Sequence, residues 1–201
     1  MLCLYLFLPS AGRAESKWTV EVCGGGRSTR SIEGPTNSGL SLRTPNEYES
    51  GIGVAYTLSE VVSIRAGMEY AHLSPRLIYD ATLTETYRIN YIDVPLAIQL
   101  SLPWGLITPY FVMGTGFSFK LAEAREWGPS ITHTDIVAED FSSYNLNLIC
   151  GGGVACRLLS YLDIVIEGRY SLGLTEDYRL GNDFVDGMSY YSLTLGFVAK
   201  L

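Results

Sequence analysis

The stretch Ser143–Leu174, SYNLNLICGGGVACRLLSYLDIVIEGRYSLGL, alternates with period two through nearly its whole length. Tyr144, Leu146, Leu148, Cys150, Val154, Cys156 and Leu158 fall on one face, and Asn145, Asn147, Gly151, Gly153 and Arg157 fall on the other. After a tight turn at Ser160-Tyr161 the alternation resumes. Leu162, Ile164, Ile166, Tyr170 and Leu172 oppose Asp163, Glu167, Arg169 and Ser171. A period of two is the signature of a β-strand with two unlike faces, so this stretch reads as an antiparallel hairpin.

One face is bulky and apolar; the other mixes glycine with charge. The bore of a small barrel is only just wide enough for side chains to fill, and glycines beside a few long charged residues suit that bore better than a layer of leucines. The apolar face is therefore expected outward, against lipid, and the hairpin becomes part of a membrane barrel. Reversing the faces would give a soluble ligand-binding barrel instead.

The same rhythm runs from about Lys17 to Leu201, which predicts one barrel domain over 17–201. Strand one spans Lys17 to about Arg27, strand two about Glu49 to Leu58, strand three the segment from Val62 past Tyr70, and strand four Thr84 to about Leu102. Strand five spans Thr108 to Leu121, the hairpin supplies six and seven, and strand eight is Met188 to Leu201. In strand four the apolar set Tyr87, Ile89, Tyr91 changes phase to Ile92, Val94, Leu96, Ile98, Leu100, which predicts a β-bulge near Asp93 and Pro95. Connections after strands one, three, five and seven are long, and those after two, four and six are short. Outer-membrane barrels have short periplasmic turns and longer outside loops, so both termini are expected in the periplasm. Tyr70, Tyr87, Tyr91, Tyr144, Tyr170 and Tyr190 are expected in one aromatic girdle, with Trp18, Trp104 and Tyr161 in a sparser one at the other interface.

The first 14 residues read as a secretory signal: a short apolar core, then small residues, with cleavage after Gly12 or Ala14. The basic n-region of such a signal is missing, as in a truncated start; a buried first strand is the alternative. The sequence holds no run of 18 apolar residues, so a spanning helix is not available. A closed barrel is then the remaining way to satisfy the backbone inside a bilayer. Cys150 and Cys156 lie six residues apart on one strand, roughly 20 Å, beyond disulfide reach. They read as small apolar fillers on the lipid face. No CxxC or HExxH spacing occurs, so neither a metal nor any other cofactor is expected.

With this phase the inward charges are Glu21, Glu69, Asp93, Asp163 and Glu167 against Arg65, Lys120, Arg157, Arg169 and Lys200. Five acids face five bases. A neutral interior fits a paired lumen charge network, since an unpaired buried charge is strongly unfavourable; a proton or ion path is the alternative use. The formal net charge of −7 sits in two connections. Between Ala122 and Ser142, Glu123, Glu126, Asp135, Glu139 and Asp140 outnumber Arg125; between Glu176 and Gly187, Glu176, Asp177, Asp183 and Asp186 outnumber Arg179. An acidic rim argues against nucleic acid as a partner. It reads as solvated loops, with divalent-cation binding as the alternative. The candidates for a hydrolase set are His72, near Ser74, and His133, beside Asp135. No nucleophile elbow or triad spacing links them, and a rim histidine reads as a polar cap.

At YIDVPLAIQL, TPYFVMGTGFSFKL, NLICGGGVACRL, DIVIEGRYSLGL and SLTLGFVAKL the chain resembles the PorT-like outer-membrane β-barrel family. Tyr91 to Pro95, Pro109-Tyr110 and Gly168 to Leu174 carry the most specific part of the resemblance, and Leu201 departs from the aromatic ending usual in such barrels. The resemblance implies an all-β, eight-stranded antiparallel up-and-down transmembrane barrel in a family with members linked to secretion. The expected function is a non-enzymatic barrel of the Gram-negative outer membrane, structural, anchoring or interacting with envelope or secretion proteins, monomeric and embedded in outer-membrane lipid. A small-solute or ion conductor and an outer-leaflet lipid hydrolase are the alternatives.

Overall fold

The computed structural model describes residues 17–29, 41–43, 47–74, 76–78, 84–127, 131–135, 143–175, 178–180, 183–185 and 189–201. The expected signal peptide lies outside them. Eight long strands carry the fold: β1 (Trp18–Thr29), β2 (Glu47–Thr57), β3 (Val62–Leu73), β4 (Thr84–Ser101), β5 (Ile107–Trp127), β6 (Tyr144–Leu159), β7 (Leu162–Gly173) and β8 (Tyr190–Lys200). Each runs antiparallel to the next, and β8 pairs with β1 from Thr19↔Lys200 to Thr29↔Tyr190. The sheet closes on itself, as the all-β barrel expectation required, and closure leaves no edge among these strands.

The register fixes the shape. From Thr19 the pairings lead through Ala55, Arg65, Ala97, Gly114, Ile149, Ser171 and Tyr190 back to β1 at Thr29, ten residues further along the strand than where they began. With eight strands, that stagger corresponds to a tilt of about 40° and a backbone cylinder roughly 16 Å across. All nine residues on the path face inward.

The two faces divide as the alternation predicts. Ile52, Met68, Leu96, Phe111, Met113, Phe117, Leu195 and Phe197 are exposed on the outside, whereas Asn147, Ser171, Thr194 and Glu167 are buried. Leu96 is 52% exposed and Asn147 1%. An apolar outer belt around a polar interior inverts the arrangement of a water-soluble protein. Cys150 and Cys156 belong to the belt; Cys23 faces the interior. At the mouth formed by the short turns, Trp18, Trp104 and Tyr161 are exposed, and Trp18 packs on Tyr56 at 4.8 Å between ring centroids. The turn at Trp104–Ile107 holds Gly105 at φ 68°, the positive φ that tight hairpin turns demand.

Three expectations need correction. The connections read as loops contain strands: Ser41–Arg43 pairs with Arg76–Ile78, which pairs with Thr84–Thr86; Ile131–Asp135 pairs with the end of β5; Tyr178–Leu180 pairs with Asp183–Val185. β5 itself continues to Trp127, beyond the expected end at Leu121. The second correction concerns the bulge. β4 keeps one alternation throughout, and the irregularity lies between Asn90↔Ala122 and Tyr91↔Lys120, so the extra residue is Leu121 on β5. The apparent phase change in β4 arises because Tyr87, Ile89 and Tyr91 are apolar residues facing inward, all buried. The third correction follows from this. Tyr87 and Tyr91 fill the lumen, and so does Tyr190, whose ring lies 3.2 Å beneath the Arg27 guanidinium. Among the described residues, the outward tyrosines near the long-connection mouth are Tyr48, Tyr70, Tyr144, Tyr170 and Tyr191, with Tyr170 and Tyr191 in contact at 4.8 Å.

Candidate functional site: the charged lumen

β3 and β7 face each other across the cylinder, and each presents one arginine and one glutamate inward. The alternation dictates this: Arg65 and Glu69 on β3, and Glu167 and Arg169 on β7, share the inward parity of their strands. Arg65 Nη1 donates to Glu167 Oε2 at 2.5 Å, and Arg169 Nη1 lies 2.9 Å from Glu69 Oε1. The two walls are tied reciprocally. Arg65 Nη2 also reaches Glu21 Oε2 on β1 at 2.6 Å, and Arg169 reaches Glu49 on β2 at 3.4 Å and Glu167 on its own strand at 3.0 Å. Tyr110 of β5 donates its hydroxyl to Glu167 at 2.8 Å. Five strands therefore meet in one cluster.

Glycine makes the room. Glu21 stands directly across from Gly53, Glu49 from Gly25, Glu69 from Gly51, Glu167 from Gly153 and Arg169 from Gly151. A Cβ at Gly51 would come within 2.6 Å of Glu69 Cγ, and one at Gly151 within 2.5 Å of the Gly168 carbonyl oxygen and 2.9 Å of Arg169 Cγ. The cavity beside this cluster holds about 30 Å³, room for two or three waters at roughly 10–15 Å³ each.

The other sequence-predicted charges lie above and below. Lys200 Nζ is 3.2 Å from Asp163 near the short-turn mouth, and Arg157, in register with Asp163, is exposed there. Asp93 is bound at 2.8 Å by Arg27, and Lys120 by Glu123 at 2.7 Å. The structure thus brings Glu21, Arg65, Glu69, Glu167 and Arg169 into one cluster, places Asp93, Lys120, Asp163 and Lys200 in separate pairs, and leaves Arg157 at the mouth.

Sequence reasoning missed Arg27, Glu47, Glu49, Glu123 and Tyr110. Glu47 accepts from the Thr29 backbone N–H and hydroxyl, both at 2.7 Å, and is buried. Its parity with Gly51 and Gly53 is the available signal, but it lies ahead of the expected start of strand two at Glu49. These additions correct the neutral balance: among the described side chains, Glu21, Glu47, Glu49, Glu69, Asp93, Glu123, Asp163 and Glu167 face inward against Arg27, Arg65, Lys120, Arg157, Arg169 and Lys200. The interior carries more carboxylates than cations. Among the described residues no group of three or more His, Cys, Asp or Glu is arranged to hold a metal ion.

His72 does not enter the lumen. It faces outward, stacked on Tyr48 at 5.1 Å, and its Nδ1 is 2.7 Å from Asn90 Oδ1. His133 and Asp135 fall on the strand Ile131–Asp135, paired with the end of β5.

The model of the outer membrane protein beta-barrel domain matches residues 13–177. The chain belongs to that family. Solved outer-membrane proteins share the fold of this chain. Neisserial surface protein A is 14% identical with a TM-score of 0.57, covering 94% of this chain and 100% of its own. OprG from Pseudomonas aeruginosa is 14% identical with a TM-score of 0.55, covering 93% and 97%. Ail of Yersinia pestis is 10% identical with a TM-score of 0.53, covering 93% and 99%. No curated protein matches the chain in sequence. Family and fold together make this an outer-membrane β-barrel, and its lipid-facing belt meets the bilayer of the bacterial outer membrane.

Proposed function

We propose that this family member is a non-enzymatic, non-conducting barrel: a rigid anchor that holds its long connections outside the cell, with both termini in the periplasm. The observation that carries this reading is the reciprocal bridging of β3 and β7 by Arg65–Glu167 and Arg169–Glu69, which fills the bore at mid-height. Alternating connection lengths support the orientation, because long loops belong on the outer side of such barrels. The PorT-like resemblance adds envelope or secretion proteins as partners of a single, monomeric barrel. The acidic connections at 122–142 and 176–187 are the surfaces offered to them.

A second reading, a cation-selective conductor, is favoured by the excess of inward carboxylates. Planar-bilayer recording of the refolded protein separates the two. The anchor gives no steady current; a stable, cation-selective conductance would overturn it and promote the conductor.

A further inference from the structure

The bore stays filled beyond the Arg65–Glu167 cluster, toward the long-connection mouth. Arg27 on β1 and Asp93 on β4 pair at 2.8 Å with both side chains buried, although β2 and β3 lie between their strands. The Tyr190 ring packs against the Arg27 guanidinium, and Asn147 on β6 donates Nδ2 to Ser118 Oγ on β5 at 2.9 Å. Further along the inward faces of β3 and β4, Leu73, Tyr87 and Ile89 are buried as well.

This second layer differs from the cluster in partners and in chemistry. Among the described residues, Arg27 and Asp93 bond to each other and to no acid or base of the cluster. The cluster is a network of carboxylates and guanidinia; the layer sets one ion pair among tyrosine rings, an amide and aliphatic side chains. The space left beside Arg27, Asn147 and Ser118 is about 20 Å³, enough for one water at roughly 10–15 Å³. A hydrated ion does not pass a constriction so narrow and so poor in replacement ligands.

β1 shows how the two are arranged. Glu21, Cys23 and Arg27 share its inward parity, with Glu21 held by Arg65 and Arg27 by Asp93. The Cys23 side chain therefore lies between them, against the cavity of the cluster.

We propose that the bore is closed twice in series, by the Arg65–Glu167 cluster and separately by the Arg27–Asp93–Tyr190 layer, so that opening either one alone leaves the barrel shut. The inference rests on the closed bore proposed above: steady current through the wild-type barrel would end both, whereas current through a variant of one layer ends only this one.

The test compares Arg65→Ala/Glu167→Gln, which opens the cluster, with Arg27→Ala/Asp93→Ala/Tyr190→Ala, which opens the layer and removes its ion pair as a unit so that no charge is stranded. In planar bilayers neither variant should pass steady current, and the protein carrying all five substitutions should. In detergent, with every other cysteine replaced by serine, a charged methanethiosulfonate should modify Cys23 at least about tenfold faster in each variant than in wild type, because each clears one approach to it. Steady current through either variant alone would overturn the proposal, as would a closed fivefold variant or a Cys23 that stays as slow as wild type when the layer is opened. The Arg65→Ala/Glu167→Gln recording decides even if the fivefold variant fails to fold, since current there would leave no second barrier.

Discussion

The Arg65 guanidinium and the Glu167 carboxylate, 102 residues apart in sequence, meet at 2.5 Å across the full width of the barrel. One residue on each wall reaches past the axis because both side chains are long and each flanking strand presents a small residue, Ala55 beside Arg65 and Gly153 beside Glu167. The bridge is a strut as well as a plug, since separating the walls would strand two charges in a poorly solvated bore.

Arg169 serves three carboxylates, Glu49, Glu69 and Glu167. Removing it by Arg169→Ala leaves them without that shared cation, at an expected loss of roughly 3–5 kcal/mol in unfolding free energy. Arg169→Lys should recover only part, because an ammonium lacks the planar fork that meets several acceptors. Denaturant unfolding in detergent micelles checks both, and an unchanged Arg169→Ala midpoint would mean that water screens the cluster.

Gly151 and Gly26 separate interior from exterior. Gly151→Ala would drive a Cβ against the Gly168 carbonyl and the Arg169 stem, whereas a Cβ at Gly26 meets nothing within 4 Å. Overpacking of this kind costs typically about 1–3 kcal/mol. The first variant should therefore refold less completely, seen as a weaker heat-modifiable band on electrophoresis, and Gly26→Ala should match wild type.

Orientation is checked on intact cells. External protease should cut within 122–142 and spare the turn at Ser59-Glu60. Cleavage at that turn with the connection intact would invert the barrel.

Much of this was legible in the sequence because inward and outward residues differ in kind along most strands. Glycine and charge against leucine and phenylalanine mark the lumen faces of β3, β6, β7 and β8, although Ile149 on β6 and Val165 on β7 are apolar and face inward. β4 is the strand where the distinction fails: Tyr87, Ile89 and Tyr91 are apolar yet face inward, and periodicity alone cannot tell an apolar plug from a lipid face. Partners across the bore were not legible either. The shear that sets Arg65 opposite Glu167 is a property of closure, and strand-by-strand alternation says nothing about it. Asp93 on β4 shows the consequence, since its partner Arg27 comes from β1, which is not a neighbouring strand.

The central claim is that the two walls are coupled through the lumen, and a double-mutant cycle on Arg65→Ala and Glu167→Gln measures that coupling in unfolding free energy. A directly bonded pair should show an interaction term within about 0.5–3 kcal/mol, with the double variant less destabilised than the two single losses added together. Strict additivity within about 0.3 kcal/mol would show that Arg65 and Glu167 do not sense each other across the barrel, and would contradict the filled lumen.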